Sequence, residues 1–180
     1  DIKDPSFIKQ LNNKELEALA ADIREFIIKN VAATGGHLAS NLGVVEITLA
    51  MHYVFDSPND KFIFDVGHQA YVHKILTGRA DKFHTLRQID GISGYVSRDE
   101  SVHDIWESGH SSTSISAQAG LIAALGDNSD NRRVISLIGD SSIANGVAFE
   151  GLNFLGQDQS KQPIIILNDN KMGINKSVGA

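Results

Sequence analysis

Two polar clusters, each placed directly after an apolar run, contain the residues of this chain that are best suited to chemistry. The runs at 134–138 and 164–167 are short and rich in β-branched residues, which predicts two buried strands of a parallel sheet. A crossover helix is predicted at 144–155, so both strands end at the same edge of the sheet. Asp140 and Asn170 follow these strands and offer a carboxylate and an amide oxygen, which are ligands that Mg2+ takes. The pattern predicts a Mg2+ site at this edge.

The same clusters also have a purely structural interpretation. A Gly-Asp pair after a strand is common in turns and at helix N-caps, and Asp140 alone fits that role as well as it fits a metal site. The second cluster favours a ligand site, because ligands of open α/β sheets bind at the carboxyl ends of the strands. Mg2+ held there would bridge to a diphosphate that faces the N-terminus of the following helix. Asp169 is interpreted as a brace of its own loop.

Two histidines lie in loops at the ends of predicted elements. His68 follows a predicted strand at 61–66, and a hydrogen-bonded structural histidine is commoner in such a place than a catalytic one. His68 and His73 would lie about 140° apart around a helix axis, which disfavours a helical zinc pair. His37 lies in a glycine-flanked segment at 35–43. That segment is interpreted either as a helix–helix turn or as a loop that presents an imidazole for proton transfer near neutral pH.

A further polar loop runs from Gly109 to Ser114, before a predicted helix. Its hydroxyl and amide groups would either cradle a phosphate or cap the helix. Thr113 stands where the nucleophile elbow of serine hydrolases needs glycine, which disfavours that class. The sequence contains neither a Walker A motif nor G-x-G-x-x-G, so ordinary ATPase and dinucleotide-binding interpretations lack their main evidence.

The elements that must position these loops form one α/β domain over residues 1–180. Apolar residues at helical spacing predict a first helix with Asn12 as N-cap and Glu15 completing a capping box. Further helices are predicted at 44–55, 69–77 and 115–125, the last rich in small residues that allow close packing. Strands that alternate with helices indicate a mostly parallel sheet flanked by helices. Residues 87–107 show little periodicity, which predicts a long functional or mobile loop.

Composition excludes several classes of function. The net charge of −6 argues against a general nucleic-acid or membrane surface. The absence of cysteine excludes disulfides and cysteine metal sites, and it suits a cytoplasmic protein. No run reaches the roughly 20 apolar residues of a membrane span. The sequence therefore predicts a soluble protein with neither nucleic acid nor membrane as a partner.

Four segments together resemble one known family. They are residues 37–46, 65–71, 73–78 and 109–116, and they are followed by Gly139-Asp140 and Asn168-Asp169-Asn170. In this order they resemble signatures of the 1-deoxy-D-xylulose-5-phosphate synthases, thiamine-diphosphate enzymes related to transketolase. The resemblance runs from about Leu16 to the last residue. It implies a thiamine-diphosphate-binding fold, here the N-terminal diphosphate- and Mg2+-binding part of a larger protein.

The resemblance also implies roles for individual residues. Mg2+ would be held by Asp140, the Asn170 side chain and the Met172 carbonyl, and His37 would serve substrate binding and proton transfer. The residues implied to line thiamine diphosphate are His68, Gly109, His110, Ser111, Ser141, Ser142 and Asn170. The implied reaction joins pyruvate, with loss of CO2, to glyceraldehyde 3-phosphate, and the cofactor carries the carbanion chemistry. It is the first step towards isoprenoid precursors by the non-mevalonate route, and it also supplies thiamine and pyridoxal synthesis. The family is generally homodimeric.

Two departures from the family pattern keep alternatives open. Ser141 stands where the general motif has its second glycine, which would weaken diphosphate binding if that position needed a positive φ. The family's activating glutamate and phosphate-binding basic residues lie in later domains, so this portion alone is expected to bind weakly or to lack turnover. Two other interpretations are another transketolase-like ketol transferase and a non-catalytic thiamine-diphosphate-binding module.

Overall fold

A sheet of three parallel strands lies at the centre of the computed structural model, which describes residues 2–126, 132–157 and 162–169. The strands are β1 (Lys61–Phe64), β2 (Val134–Gly139) and β3 (Ile164–Asn168), in the spatial order β1-β2-β3. Lys61 is opposite Val134, and Gly139 is opposite Asn168. The predicted parallel sheet is confirmed. The predicted first strand is two residues too long, because Val66 has a φ of +63° and turns the chain out of the extended conformation.

Helices surround this sheet in the described part of the chain. The α-helices are α1 (Asn13–Thr34), α2 (Leu38–Leu42), α3 (Val45–Val54), α4 (Tyr71–Lys74), α5 (Ser114–Leu125), α6 (Asp140–Ile143) and α7 (Gly146–Gln157). Shorter helical turns of other types span Pro5–Gln10, Ile75–Arg79 and Ala80–Thr85. The predicted capping box at Asn12 and Glu15 is present. The helix predicted at 69–77 is wrong in detail, since α4 begins at Tyr71 and widens into a π-helical turn at Ile75.

Apolar side chains pack on both faces of the sheet. One face carries Phe62, Phe64, Ile135 and Leu137, which pack with Met51 of α3. On the other face, Ile138 packs with residues of α5 and α7. A third apolar group joins α1, α3 and α4. The result is a helix–sheet–helix arrangement with a helical layer beyond it.

Close packing of α5 occurs within the chain. A Cβ at Gly151 of α7 would lie 2.9 Å from Cγ2 of Ile115, so this glycine allows the two helices to approach. Gln118 of α5 is fully buried, and its Nε2 donates to the carbonyls of Val134 (2.8 Å) and Ile164 (3.0 Å). Gln118 thereby fixes where β2 and β3 begin, at the end of the sheet opposite the polar clusters.

Residues 86–113 contain neither a helix nor a strand, as predicted for most of this segment. Ion pairs among four side chains help to hold this segment against the rest of the fold, and we name them the ion cluster: Lys74, Arg79, Glu100 and Asp104. Across the described ranges, no helix is long and apolar enough to cross a bilayer.

Candidate functional site

The carboxyl edge of the sheet places two aspartates directly after neighbouring strands. Asp65 follows β1 and is buried, whereas Asp140 follows β2, begins α6 and is partly exposed. The carboxylate of Asp140 makes no hydrogen bond or ion pair with any residue that the structure describes. Because Gly139 is opposite Asn168, β2 and β3 end side by side. Asn170 and Met172, the other predicted Mg2+ ligands, lie outside the described residues.

The φ angle at Ser141 decides whether a serine can replace the motif's second glycine without strain. Ser141 lies inside α6, and it is absent from the positions with positive φ. A serine is compatible with helical backbone angles, so replacing the motif's second glycine introduces no backbone strain at this position. Ser141 is exposed and Ser142 is partly buried.

Asp65 holds the 109–114 loop in place. Its Oδ1 accepts the N–H of Ser112 at 2.9 Å, and its Oδ2 accepts the N–H of Ser114 at 3.2 Å. The Gly109 N–H donates to the Val66 carbonyl, and the His110 N–H donates to the Ser108 hydroxyl. Of the two functions predicted for this loop, capping of the next helix therefore accounts for the amides of Ser112 and Ser114. Asp65 supplies the cap from a distant part of the sequence.

The same loop also joins the ends of β1 and β2. The Ser112 hydroxyl donates to the Ser142 carbonyl at 2.8 Å, and Ser112 has a φ of +74°. Gly109 has a φ of +76°, and a Cβ there would meet no atom within 4 Å. His110 and Ser111 are exposed beside it. The structure thus brings His110, Ser111 and Ser142 to one edge and leaves open space next to Gly109.

Aromatic rings surround His37 on the other side of this edge. The His37 ring lies edge-on to His68 and to Tyr95, each with ring centroids 5.3 Å apart. The Tyr71 hydroxyl accepts the backbone N–H of His37 at 3.1 Å and lies 3.4 Å from its Nδ1. His37 is at the N-cap of α2, which confirms that the segment is a helix–helix turn, and proton transfer by its imidazole stays a prediction.

A buried asparagine fixes the separation of the two histidines. The Asn41 Nδ2 donates to the carbonyls of His37 (2.7 Å) and His68 (2.9 Å), and its Oδ1 accepts the Tyr71 N–H (2.9 Å). Asn41 is fully buried. The sequence did not predict these bonds of Asn41 and Asp65, because His68 and Ser112, to which they bond, lie far away along the chain.

Burial sets the protonation of both histidines. It lowers the pKa of His37, and the positive charge of Arg87 lowers it further. The pKa of His68 is also lowered, first by burial and then by His37, with Asp65 acting in the opposite direction. Both imidazoles are therefore predominantly neutral at pH 7.

Three observations fit an anionic cofactor with a divalent cation at this edge. The Nδ1 of His68 is buried without a hydrogen-bond partner among the residues that the structure describes. The Asp140 carboxylate has no partner among the described residues, and the space beside Gly109 is open. A buried polar atom without a partner is costly unless a ligand satisfies it. No cluster of three or more His, Asp or Glu side chains suited to a metal occurs in the described ranges. The predicted Mg2+ set needs only one such side chain, Asp140.

Solved structures with the same fold are transketolases. A transketolase mutant from Pichia stipitis matches with a TM-score of 0.74 and 20% identity, covering 91% of this chain and 28% of that one. Transketolase from Leishmania mexicana matches with a TM-score of 0.73 and 21% identity, covering 88% of this chain and 28% of that one. At this level of identity the comparison establishes the fold. The chain therefore has the α/β fold seen in transketolases.

Sequence comparison identifies the family within that fold. A family model described as 1-deoxy-D-xylulose-5-phosphate synthase matches residues 1–180. The protein of that name from Listeria innocua is 59% identical over 179 residues, and the one from Shouchella clausii is 56% identical over 180 residues. The chain spans 28% of the length of these relatives. It belongs to the 1-deoxy-D-xylulose-5-phosphate synthase family.

Proposed function

We propose that this chain is the N-terminal portion of an enzyme that joins pyruvate, with loss of CO2, to glyceraldehyde 3-phosphate. The product is 1-deoxy-D-xylulose 5-phosphate, an early precursor of isoprenoids, thiamine and pyridoxal. The observation that carries this proposal is a set of groups at the sheet edge in a chain of this family. The Asp140 carboxylate and the His68 Nδ1 have no partner within the described ranges, and the space beside Gly109 is open.

In this proposal the chain holds thiamine diphosphate and Mg2+. Asp140 binds the ion through its carboxylate, together with the Asn170 side chain and the Met172 carbonyl. The lining residues are His68, Gly109, His110, Ser111, Ser141, Ser142 and Asn170. The cation offsets the negative charge of a diphosphate, which allows an acidic protein to bind it. When bound, thiamine diphosphate supplies the nucleophilic carbon and the electron sink that decarboxylation of a 2-keto acid requires.

His37 acts as a neutral hydrogen-bond donor in this scheme. The Tyr71 hydroxyl already accepts the His37 N–H, so its own proton is available for the His37 Nδ1 at 3.4 Å. An imidazole that accepts at Nδ1 and is neutral carries its proton on Nε2. Because the pKa of His37 is lowered by burial and by Arg87, the neutral imidazole predominates at neutral pH. His37 can then donate to a substrate oxygen and exchange a proton with it.

The bonds from backbone amides to Asp65 limit which groups can bind the diphosphate of the cofactor. The N–H of Ser114, the first residue of α5, and the N–H of Ser112 just before the helix donate to a protein carboxylate, so part of the positive charge at the N-terminus of α5 is offset within the chain. Diphosphate binding is accordingly assigned to the metal ion, to the side chains of the 109–111 loop and to the start of α6. The predicted Mg2+ dependence of binding follows from this assignment.

Calorimetric titration of the full-length protein with thiamine diphosphate, with Mg2+ and then with a chelator, tests the proposal. We expect binding that needs Mg2+ and that Asp140→Ala weakens by about a hundredfold or more, since loss of a residue that merely orients a metal ligand already costs about 10- to 100-fold. Asp22→Ala, an exposed aspartate on α1, serves as the matched control and leaves affinity unchanged. Equal affinity of the Asp140→Ala and Asp22→Ala proteins contradicts the assigned metal site.

Turnover assays separate the proposed reaction from its relatives. Full-length protein is expected to consume pyruvate and glyceraldehyde 3-phosphate and to release CO2. Preference for sugar-phosphate donors instead of pyruvate indicates a transketolase-type ketol transferase, whose fold this chain shares. Cofactor binding without turnover in the full-length protein indicates a non-catalytic module. A dimer in solution and a cytoplasmic location are further expectations of the family, checked by analytical ultracentrifugation and cell fractionation.

A further inference from the structure

Tyr95 contacts the candidate site, although no motif of the sequence points to it. Its ring lies edge-on to His37, with centroids 5.3 Å apart and an interplanar angle of 69°. The side chain is partly exposed, at 39% of its full accessible surface. Its hydroxyl makes no hydrogen bond to the described part of the chain. A phenol with a fixed ring and a free hydroxyl next to a neutral imidazole can donate to an oxygen of a bound molecule.

The backbone on each side of Tyr95 is anchored. On one side, the Tyr95 N–H donates to the Ser93 hydroxyl at 3.1 Å, and the Ser93 N–H donates to Glu100 Oε1 at 2.6 Å. On the other side, the Val96 N–H donates to the Gly67 carbonyl at 3.2 Å, and the Ser97 N–H donates to Asp104 Oδ2 at 3.0 Å. The segment 93–97 has no helix or strand to hold it, so these bonds determine where the ring lies.

Both anchoring carboxylates belong to the ion cluster. Glu100 Oε2 accepts from Lys74 at 2.5 Å and from Arg79 at 3.2 Å, while Asp104 binds Arg79 through both oxygens at 2.7 and 2.8 Å. The side chains of Lys74 and Asp104 are fully buried, and that of Arg79 is 5% exposed. His73 adds a further bond to Asp104 at 3.1 Å. Charges held this firmly cannot shift without large cost, so the cluster is a rigid base for segment 93–97.

We propose that Tyr95 is a substrate-positioning residue of this enzyme and that the ion cluster holds it against His37. The proposal rests on the proposed function, because it assigns Tyr95 to the substrate bound beside His37. The substrate class is a small carbonyl compound rich in oxygen acceptors, and the phenolic hydroxyl donates to one of those oxygens. Glu100 and Asp104 act through the backbone of segment 93–97 and do not touch the substrate.

The arrangement of the carboxylates favours this role over a merely structural one. Glu100 uses Oε2 for its cations and keeps Oε1 for the Ser93 N–H, and Asp104 shares Oδ2 between Arg79 and the Ser97 N–H. In addition to its ion pairs, each carboxylate therefore accepts a hydrogen bond from a backbone N–H close to Tyr95. Gly67, whose carbonyl supplies the remaining anchor, directly precedes His68. The position of Tyr95 is thus tied to both histidines of the site.

A double-mutant cycle on the full-length enzyme tests the proposal. Tyr95→Phe is expected to raise KM by about tenfold with a much smaller change in kcat, because a hydrogen bond to bound substrate is lost. Tyr95→Ala is expected to lower kcat/KM further, by about a hundredfold. Tyr53→Ala, which removes a tyrosine of similar exposure on α3, is the matched control and leaves the kinetics unchanged.

The second arm of the cycle is Glu100→Gln. It is expected to lower kcat/KM by about tenfold in the wild-type background and by less than about twofold in the Tyr95→Ala background, because coupled residues are non-additive. The loss of thermal stability caused by Glu100→Gln should be the same in both backgrounds. Equal kinetic effects of Glu100→Gln in both backgrounds overturn the proposal, as does a Tyr95→Phe enzyme with wild-type KM.

Ser93→Ala provides a milder variant in case Glu100→Gln fails to fold. It removes the hydroxyl that accepts the Tyr95 N–H and leaves the ion cluster intact, so KM is expected to rise without loss of stability. A crystal structure of this variant should show the Tyr95 ring displaced from His37, and an unchanged ring position overturns the anchoring. Absence of turnover by the wild-type enzyme overturns the proposed function and the substrate role of Tyr95, whereas the crystal structure decides the anchoring independently.

Discussion

The sheet edge and the ion cluster contain the same kinds of titratable side chain, but they differ in how those side chains are satisfied. At the edge, Asp140 and the Nδ1 of His68 have no partner among the described residues. In the cluster, the Asp104 carboxylate accepts hydrogen bonds from Arg79, His73 and the Ser97 N–H. The Glu100 carboxylate accepts hydrogen bonds from Lys74, Arg79 and the Ser93 N–H. Among the described residues, the edge therefore leaves a carboxylate and a buried nitrogen without partners, whereas both carboxylates of the cluster are paired within the chain.

The difference separates two roles that a carboxylate can have in the fold. A carboxylate surrounded by cations and amides restrains the chain, and its loss is felt as lost stability. A carboxylate left open at the end of a strand contributes little to folding and is available for a metal ion. Strongly perturbed pKa values alone would not make this distinction, because the largest shifts lie in and beside the cluster, at His52 and Asp104.

The largest effect on stability is expected from Asp104→Ala. This change leaves the buried Arg79 without its bidentate partner and His73 without its acceptor, and it should lower the local free energy of unfolding by about 3–5 kcal/mol. Hydrogen exchange of peptides covering 93–104, measured by mass spectrometry, reports this loss. Asp140→Ala is the control and should stay within about 0.5 kcal/mol of the wild type. Similar losses in the two variants would show that the two regions do not differ as described.

The next effect concerns pH. Burial, followed by the charges of His73 and His103, lowers the pKa of His52 to about 2 from an ordinary value of 6.5, and burial also lowers the pKa of His73. The unfolded chain therefore binds protons that the folded chain excludes, so stability is complete above about pH 6.5 and decreases at lower pH. The decrease approaches about 1.4 kcal/mol per pH unit for each such histidine.

Thermal unfolding measured between about pH 5 and pH 8 checks this dependence. The His52 Nε2 lies 2.9 Å from the His73 Nδ1, and His52→Gln keeps a donor there without a titrating group. The variant should lose stability less steeply than the wild type as the pH falls. An identical pH dependence of the two proteins would assign the effect to other groups.

The smallest effect is expected from His68→Phe. The substitution keeps an aromatic ring and removes a buried nitrogen that has no partner, so the unliganded protein should change by less than about 0.5 kcal/mol. His73→Phe is the matched variant in the buried region, where it removes the partner of the His52 Nε2 and one of the hydrogen bonds to Asp104 and should cost several times more. Thermal shift assays without and with thiamine diphosphate compare the two. Only His68→Phe should lose part of the stabilisation that the cofactor provides.

The sequence predicted the regular elements well, since local patterns determine them. The capping box at Asn12 and the β-branched runs at 134–138 and 164–167 are contained in short windows, and the structure confirms them. The change from α4 to a π-helical turn at Ile75 was missed, because its cause is packing around residues that are distant in sequence. Residues 87–107 gave no periodic signal for the same reason, as their order comes from Lys74 and Arg79.

The candidate site was predicted in part. Asp140, His37, His68 and the 109–111 loop were identified from position and resemblance, and the structure brings them to one edge. Asn41, Asp65 and Tyr95 were not assigned their roles. Asn41 bonds to His68, and Asp65 bonds to Ser112, across 27 and 47 positions respectively. Nothing in a local window distinguishes such residues from ordinary helix caps or loop residues.

The strand register has a consequence for how the chain is made. Lys61 of β1 is opposite Val134 of β2, so β1 has no partner strand until about 70 further residues have been synthesised. The ion cluster contains only residues 74–104, and its bonds are available well before β2 leaves the ribosome. We expect the helices α1, α3 and α4 to pack together first during translation and the sheet to form later. In that interval the unpaired, apolar β1 is the segment most exposed to aggregation, and the early packing of α3 against Phe62 and Phe64 shields it.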